Sequence, residues 1–264
     1  MVGGTGLPAY FASEIGGCPS LFGVFAMNEI TDVEEIYSAE YHRKAGKRGE
    51  KQYPAKQDMA SAIYQLWGPV SVVDVGCGRG WWMEHWLREH PAVTVIGLDG
   101  CADLIKRTGQ CDDSVAPFMY NGDLREPGWW QFYTPRLEWS HSHWSIALCI
   151  EVAEHLEEQY ASGLVRGLCE LSDRIFFSSA RPGQRGVHHV NCQPKEYWAD
   201  LFGHFGFRWR HDLKKAWLDM LTTRDQRYGL NIRRNAMFLT RDQRYGLNIR
   251  RNAMFLTGDE VPLA

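Results

Sequence analysis

Val72-Val73-Asp74-Val75-Gly76-Cys77-Gly78-Arg79-Gly80 is the stretch on which the fold turns. An apolar, β-branched run enters a turn of alternating glycines, and residues 81–90 behind it read as a helix. Glycine adopts positive φ without a steric cost and lets main chain approach a ligand closely, so this strand-turn-helix marks a small-molecule site. The spacing narrows the ligand. A dinucleotide fingerprint is G-x-G-x-x-G, whose third glycine leaves room beside a pyrophosphate. Here the pattern is G-x-G-x-G, with Trp81 and Trp82 following at once. A tryptophan pair is a poor cradle for pyrophosphate, which disfavours a nicotinamide dehydrogenase, whereas Asp74 is placed to receive a cationic ammonium group.

Outward from that turn the chain alternates. Strands are expected at 70–75, 93–98, 115–120, 145–150, 174–179 and 207–209, and helices at 57–67, 101–108, 157–171 and 194–205. Strands and helices joined by short connections are the βαβ units of a parallel sheet. Residues 145–150 are apolar on both faces, as a central strand of such a sheet should be.

A chain of 264 residues suits one α/β domain with elaborated ends. With 29 Lys+Arg against 32 Asp+Glu the net charge is −3, so no global field recruits nucleic acid or an anionic membrane. The cysteines (Cys18, Cys77, Cys101, Cys111, Cys149, Cys169, Cys192) are scattered with no C-x-x-C pair, against a disulfide framework or a thiolate zinc site, and a reducing, cytoplasmic setting is expected. Residues 1–30 lack a basic start and are broken by Gly16, Gly17 and Pro19, so neither a signal peptide nor a membrane span is expected. Three segments are expected: a Gly-rich, then basic arm or cap over 1–55 (Arg43, Lys44, Lys47, Arg48, Lys51), the domain proper over 56–240, and a duplicated tail over 241–264.

The tail repeats RDQRYGLNIRRNAMFLT, residues 224–240, without change as 241–257. Two copies are too few for a stacked array. Each ends in a strand-like Asn-Ala-Met-Phe-Leu-Thr, and only one can be the last strand of the sheet.

The acidic-x-G-x-G-x-G turn at the end of the first strand resembles the first motif of the class I S-adenosylmethionine-dependent methyltransferases. The resemblance covers about 57–209, and three further matches arrive in register: Asp99 closing the second strand, Gly122-Asp123-Leu124 closing the third, and Ile150-Glu151-Val152-Ala153-Glu154-His155 after the fourth. It implies a Rossmann-like α/β fold, a seven-stranded mostly parallel sheet with helices on both faces and the last strand antiparallel between strands five and six. It further implies S-adenosylmethionine as cofactor, seated by Asp74, Gly76, Cys77, Gly78 and Gly80, with Asp99 and Gly100 at the ribose, Asp123 and Leu124 at the adenine, and Ile150 and Glu151 beside them.

Methyl transfer is an in-line displacement, so the protein aligns the acceptor and removes its proton where needed. His155 and His189 are the catalytic candidates. Glu151, Glu154, His155 and His189 also resemble the divalent-metal quartet of small-RNA 2′-O-methyltransferases and some ubiquinone-pathway O-methyltransferases, which would implicate Mg²⁺. In metal-independent relatives the same E-V-x-E-H stretch seats cofactor and packs locally, so both readings stand. Trp129, Trp130, Phe132, Tyr133, Trp139 and Trp144 either stack an acceptor ring or sugar, or pack on the sheet. The expected reaction is O-methylation of a small molecule or glycan. The alternatives are a metal-assisted RNA 2′-O-methyltransferase and a non-catalytic S-adenosylmethionine-binding protein. The Asn/Asp-Pro-Pro-Tyr/Phe stretch of amino-methylating DNA enzymes is replaced by Ile150-Glu151-Val152-Ala153.

Overall fold

The computed structural model describes residues 39–100, 118–133, 143–222 and 229–242. Helix α1 (Ala39–Trp67) leads into β1 (Ser71–Val75), α2 (Trp81–Glu89) and β2 (Thr94–Asp99). Then follow β3 (Met119–Asn121), β4 (Ile146–Ile150), α3 (Ala161–Leu171), β5 (Arg174–Ser178), α4 (Lys195–His204), β6 (Phe207–Trp209), α5 (His211–Met220), α6 (Leu230–Asn235) and β7 (Met237–Arg241). The helix expected at 101–108 lies outside the described residues.

The sheet order is β3-β2-β1-β4-β5-β7-β6, with β1 to β5 parallel and β7 antiparallel to both neighbours, Phe176 opposite Phe238 and Trp209 opposite Leu239. This is the expected fold. Both faces are covered, so the strands read as continuous apolar runs. Val73, Val75, Cys149 and Phe177 pack with Leu164 and Leu168 of α3 and with Trp198 and Phe202 of α4. Val72, Leu148, Phe176 and Phe238 meet Met59 and Ile63 of α1, Met83 and Trp86 of α2, and Trp217 of α5.

Two expectations change, and one pair of alternatives narrows. The arm expected to end at residue 55 continues instead as α1, in which Ala55, Met59 and Ile63 are fully buried at helical spacing. Trp217 Nε1 donates to Met59 O at 3.1 Å, and Asp58 accepts from the Thr222 amide and hydroxyl, so α5 clamps α1 to the domain. Of the two readings of the aromatic segment between strands three and four, packing is the one its described tryptophans take. Trp129 and Trp130 open a short 3₁₀ turn, are buried, and lie on α3 with the Arg166 guanidinium 5.4 Å from the Trp130 ring. Trp144 is likewise core, Phe132 alone is largely exposed, and Trp139 lies outside the described residues. Finally, the helix expected from 157 begins as a 3₁₀ turn, Glu158–Tyr160, before α3.

The first copy of the repeat supplies the last strand. Arg241 and Asp242, which open the second copy, fasten its end: Arg241 Nε donates to Asp173 Oδ1 and Arg241 Nη2 to Cys169 O, while Asp242 pairs with Arg208 at 3.2 Å. The rest of the second copy lies outside the described residues. Among the described residues no helix is long and apolar enough to cross a membrane, and Cys77, Cys149, Cys169 and Cys192 are free thiols.

Candidate active site

Four parallel strands deliver their carboxyl ends to one edge of the sheet, where open α/β sheets bind ligands. Asp74 arrives on β1, buried, and Oδ2 has no hydrogen-bond partner. Burial first, and then the nearby Asp99 carboxylate, raise its carboxyl to about 7, while Lys56 pulls the other way. The turn beyond is shaped by its glycines. Gly76 (φ 74°) lies so close to Val152 that a Cβ would meet a Val152 methyl at 2.3 Å, whereas Gly78 (φ 55°) faces open space. The Gly78 amide donates to Asp99 Oδ2 at 2.8 Å, locking the turn to the end of β2. Cys77 is buried, Gly80 (φ 73°) opens α2, and Gly100 follows Asp99 half-buried. Beyond β3, Asp123 takes four bonds from Arg125, the closest 2.7 Å from Nη2. Burial pushes that carboxyl up, but the Arg125 bonds outweigh it and hold it below the usual range. The Leu124 side chain belongs to the core, while Ile150 ends β4 and Glu151 follows it, both half-buried.

Past β4 the chain makes a strained bend. Glu151 is non-glycine at φ 56°, a sparsely populated conformation that surrounding contacts must enforce. The Glu151 amide donates to Ser178 O at 2.8 Å, and its carboxylate takes bonds from Asn235 Nδ2 at 3.1 Å and Gln184 Nε2 at 3.4 Å. The bend delivers Glu154, His155 and, from the loop after β5, His189 to one place, with one ligand atom of each within 4.8 Å of the others. Of the expected quartet the structure gathers these three. The Glu151 carboxylate stands outside them, held by Asn235 and Gln184.

Glu154 is fully buried and neither carboxylate oxygen has a hydrogen-bond partner. Burial, then Glu151, raise its carboxyl to about 8. Burial, then His189, lower His155 to about 4, so its imidazole is neutral at physiological pH. The tautomers follow from neighbouring carbonyls. His155 Nδ1 lies 3.2 Å from His188 O and His189 Nδ1 3.1 Å from Gln184 O; a carbonyl only accepts, so each Nδ1 faces it as donor, and in the neutral His155 ring Nε2 keeps the lone pair. His189 Nε2 lies over Gly186, where a Cβ would be only 2.0 Å away.

Residues 32–217 match the model of a family described as a methyltransferase domain. The chain belongs to this family. It is a class I methyltransferase of the S-adenosylmethionine-dependent group, with that group's strand order. Three solved structures share the fold. An O-methyltransferase from neocarzinostatin biosynthesis, in complex with S-adenosylhomocysteine and 1,4-dihydroxy-2-naphthoic acid, is 15% identical (80% of this chain, 60% of that one, TM-score 0.52). Human N-acetylserotonin methyltransferase in complex with S-adenosylmethionine is 11% identical (83% and 60%, TM-score 0.51). The mitomycin 7-O-methyltransferase is 14% identical (80% and 60%, TM-score 0.51). The chain thus spans about three fifths of the length of each. No curated protein matches.

Sequence reasoning missed several residues of this methyltransferase's site. Lys56, which no motif singled out, is brought by α1 to Asp74 and lies 5.6 Å from the Trp81 ring; burial lowers its ammonium to about 8, opposed by Asp74. Asn235 and Gln184 were unread because their partner, Glu151, is distant in sequence. One signal was available: an antiparallel last strand begins, rather than ends, at the ligand edge, which places Asn235 there. A separate cleft of about 330 Å³ between α1 and α2, lined by Ser61, Tyr64, His85 and His90, is built from helices rather than strand ends.

Proposed function

We propose that this methyltransferase transfers a methyl group to an oxygen of a small-molecule or glycan acceptor. The observation that carries the reading is the convergence of Glu154, His155 and His189 just beyond the cofactor motifs. Bound S-adenosylmethionine supplies an electrophilic methyl on a sulfonium sulfur. The chain's residues fit that cofactor. Asp74 Oδ2, buried and unpartnered, suits the ammonium group, and the open space at Gly78 lets main chain approach. Asp99 and Gly100 would hold the ribose, Asp123 and the Leu124 amide the adenine, and Gly76, Cys77, Gly80, Ile150 and Glu151 would shape the floor.

On the acceptor side His189 is the better base. His155, held near 4, is too weakly basic to take a proton at neutral pH, and the contact of His189 Nδ1 with Gln184 O turns His189 Nε2 away from the loop carbonyl. Glu154, His155 and His189 would also hold a divalent ion, which polarises an acceptor hydroxyl. One carboxylate and two imidazoles suit a borderline transition ion better than Mg²⁺, which prefers oxygen ligands. The same three residues favour a second reading, metal-assisted methylation of an RNA 2′-hydroxyl.

Transfer of labelled methyl from S-adenosylmethionine to separate pools of hydroxylated small molecules, oligosaccharides and RNA, with and without EDTA, separates these readings. Label in an ether product from the first two pools supports the proposal. Transfer to RNA alone, lost with EDTA, establishes the second reading. Cofactor binding with no transfer to any pool leaves a binding protein.

A further inference from the structure

Helices α1 and α2 pack on the same face of the sheet and leave a cleft of about 330 Å³ between them, within the range of small-molecule sites, about 300–1,000 Å³. Ser61, Tyr64 and Gln65 line it from α1, three and four residues apart on one helix face, and His85, Glu89 and His90 line it from α2 and its end. None of them belongs to the strand-end site. His85, Glu89 and His90 occupy the second half of α2, away from Gly80 and the glycine turn.

His85 is only 3% exposed, with Nε2 3.3 Å from Ser61 Oγ, and its Nδ1 has no hydrogen-bond partner. A buried polar atom left unmet is destabilising, and folded proteins retain few of them. The Tyr64 and His90 rings stack with centroids 3.5 Å apart and planes 11° apart, which gives the cleft an aromatic wall, and His90 meets His85 edge-on at 5.7 Å. Burial, and next His90, lower the His85 imidazole to about 4, so it is neutral at physiological pH. The lining residues include no lysine or arginine, and their one carboxylate, Glu89, is exposed.

These features select the ligand. A phosphate or carboxylate would find no cation in the lining and would face Glu89. An ammonium group only donates, so it meets His85 Nδ1 in one tautomer, and solvent would screen its pairing with Glu89. A hydroxyl both donates and accepts, so it meets Nδ1 whichever ring nitrogen carries the proton. The Ser61 hydroxyl and the Gln65 amide offer further partners of the same two-way kind.

We propose that the cleft between α1 and α2 is a second ligand site, which takes a small neutral polyhydroxylated molecule of monosaccharide size through Ser61, Gln65 and His85, against the stacked Tyr64 and His90 rings. The site does not rest on the methyltransferase reading.

The test is calorimetric titration of the full-length chain with glucose, ribose and myo-inositol, and with glucosamine and glucose 6-phosphate as charged counterparts, at constant ionic strength. Wild type, His85→Phe, Ser61→Leu and the surface control Lys215→Met are compared, and each is also titrated with S-adenosylhomocysteine. Saturable binding of a neutral probe to wild type and Lys215→Met, at least tenfold weaker in the other two, supports the site and says which polyol it prefers. No saturation by any neutral probe, equal affinity in all four proteins, or tighter binding of a charged counterpart than of every neutral probe overturns it. Should His85→Phe fail to melt cooperatively, Ser61→Leu, which fills the cleft from a half-buried position of α1, decides. S-adenosylhomocysteine affinity is expected to be equal in the four proteins. Polyol binding to a chain that does not bind S-adenosylhomocysteine leaves this site standing and removes the cofactor reading.

Discussion

Asn235 Nδ2 donates to Glu151 Oε1 and to Gln184 Oε1, each at 3.1 Å, so one buried amide joins the start of the last strand to the end of β4 and the loop after β5. Glu151 needs such a brace because it sits at φ 56°. Asn235→Asp replaces the donor with a carboxylate facing a carboxylate. Its expected effect is a loss of S-adenosylhomocysteine affinity of about 1–3 kcal/mol, read by calorimetry. The repeat provides a matched control, since Asn252→Asp makes the same change in the second copy and is expected to leave affinity alone.

Gly186 leaves space for an imidazole. Gly186→Ala would put a methyl 2.0 Å from His189 Nε2 and drive the ring aside. Turnover should fall by about 10²–10⁴-fold if His189 is the base, with cofactor affinity retained. Unchanged turnover would remove His189 from that role.

Asp74 predicts opposite pH effects on stability and on binding. Its folded carboxyl, raised from 3.8 to about 7, keeps a proton that the unfolded chain releases, so this group's contribution to stability is lost as pH rises across that window. Asp74→Asn removes the slope, and the ligand-free variant should melt above wild type at pH 8. Binding runs the other way. A cationic ammonium needs the ionised carboxylate, so wild-type affinity for S-adenosylhomocysteine should rise from pH 6 to 8, while the variant's stays low and flat.

Phe238 reports which copy of the repeat fills the sheet. It is fully buried, with ring contacts to Phe176 at 5.0 Å, Trp67 at 5.1 Å and Trp217 at 5.6 Å. Phe238→Ala should cost about 3–5 kcal/mol in denaturant unfolding, and Phe255→Ala little. The reverse pattern would seat the second copy in the strand.

Strands β1, β2, β4 and β5 were readable because strands buried on both faces are continuous apolar runs bounded by turns. The glycine turn and Asp99 were readable because turn chemistry is local. Helix α1 was half hidden by Pro54, which reads as a break although the helix runs through it from Ala39 to Trp67. Helix α5 was unread because Trp217 is its only fully buried residue, and α6 because six residues with two arginines show no period. Asn235 and Gln184 gain their meaning from the antiparallel insertion of β7 and from long-range contacts, which no local pattern encodes.

The central claim is that the edge at Asp74, Gly78 and Asp99 is a cofactor pocket. Titrating S-adenosylhomocysteine into wild type and Asp99→Ala tests it most directly. The account predicts micromolar binding to wild type, weakened by roughly 1–3 kcal/mol in a variant that still melts cooperatively. Equal affinity in the two proteins, or no binding to folded wild type, would contradict it.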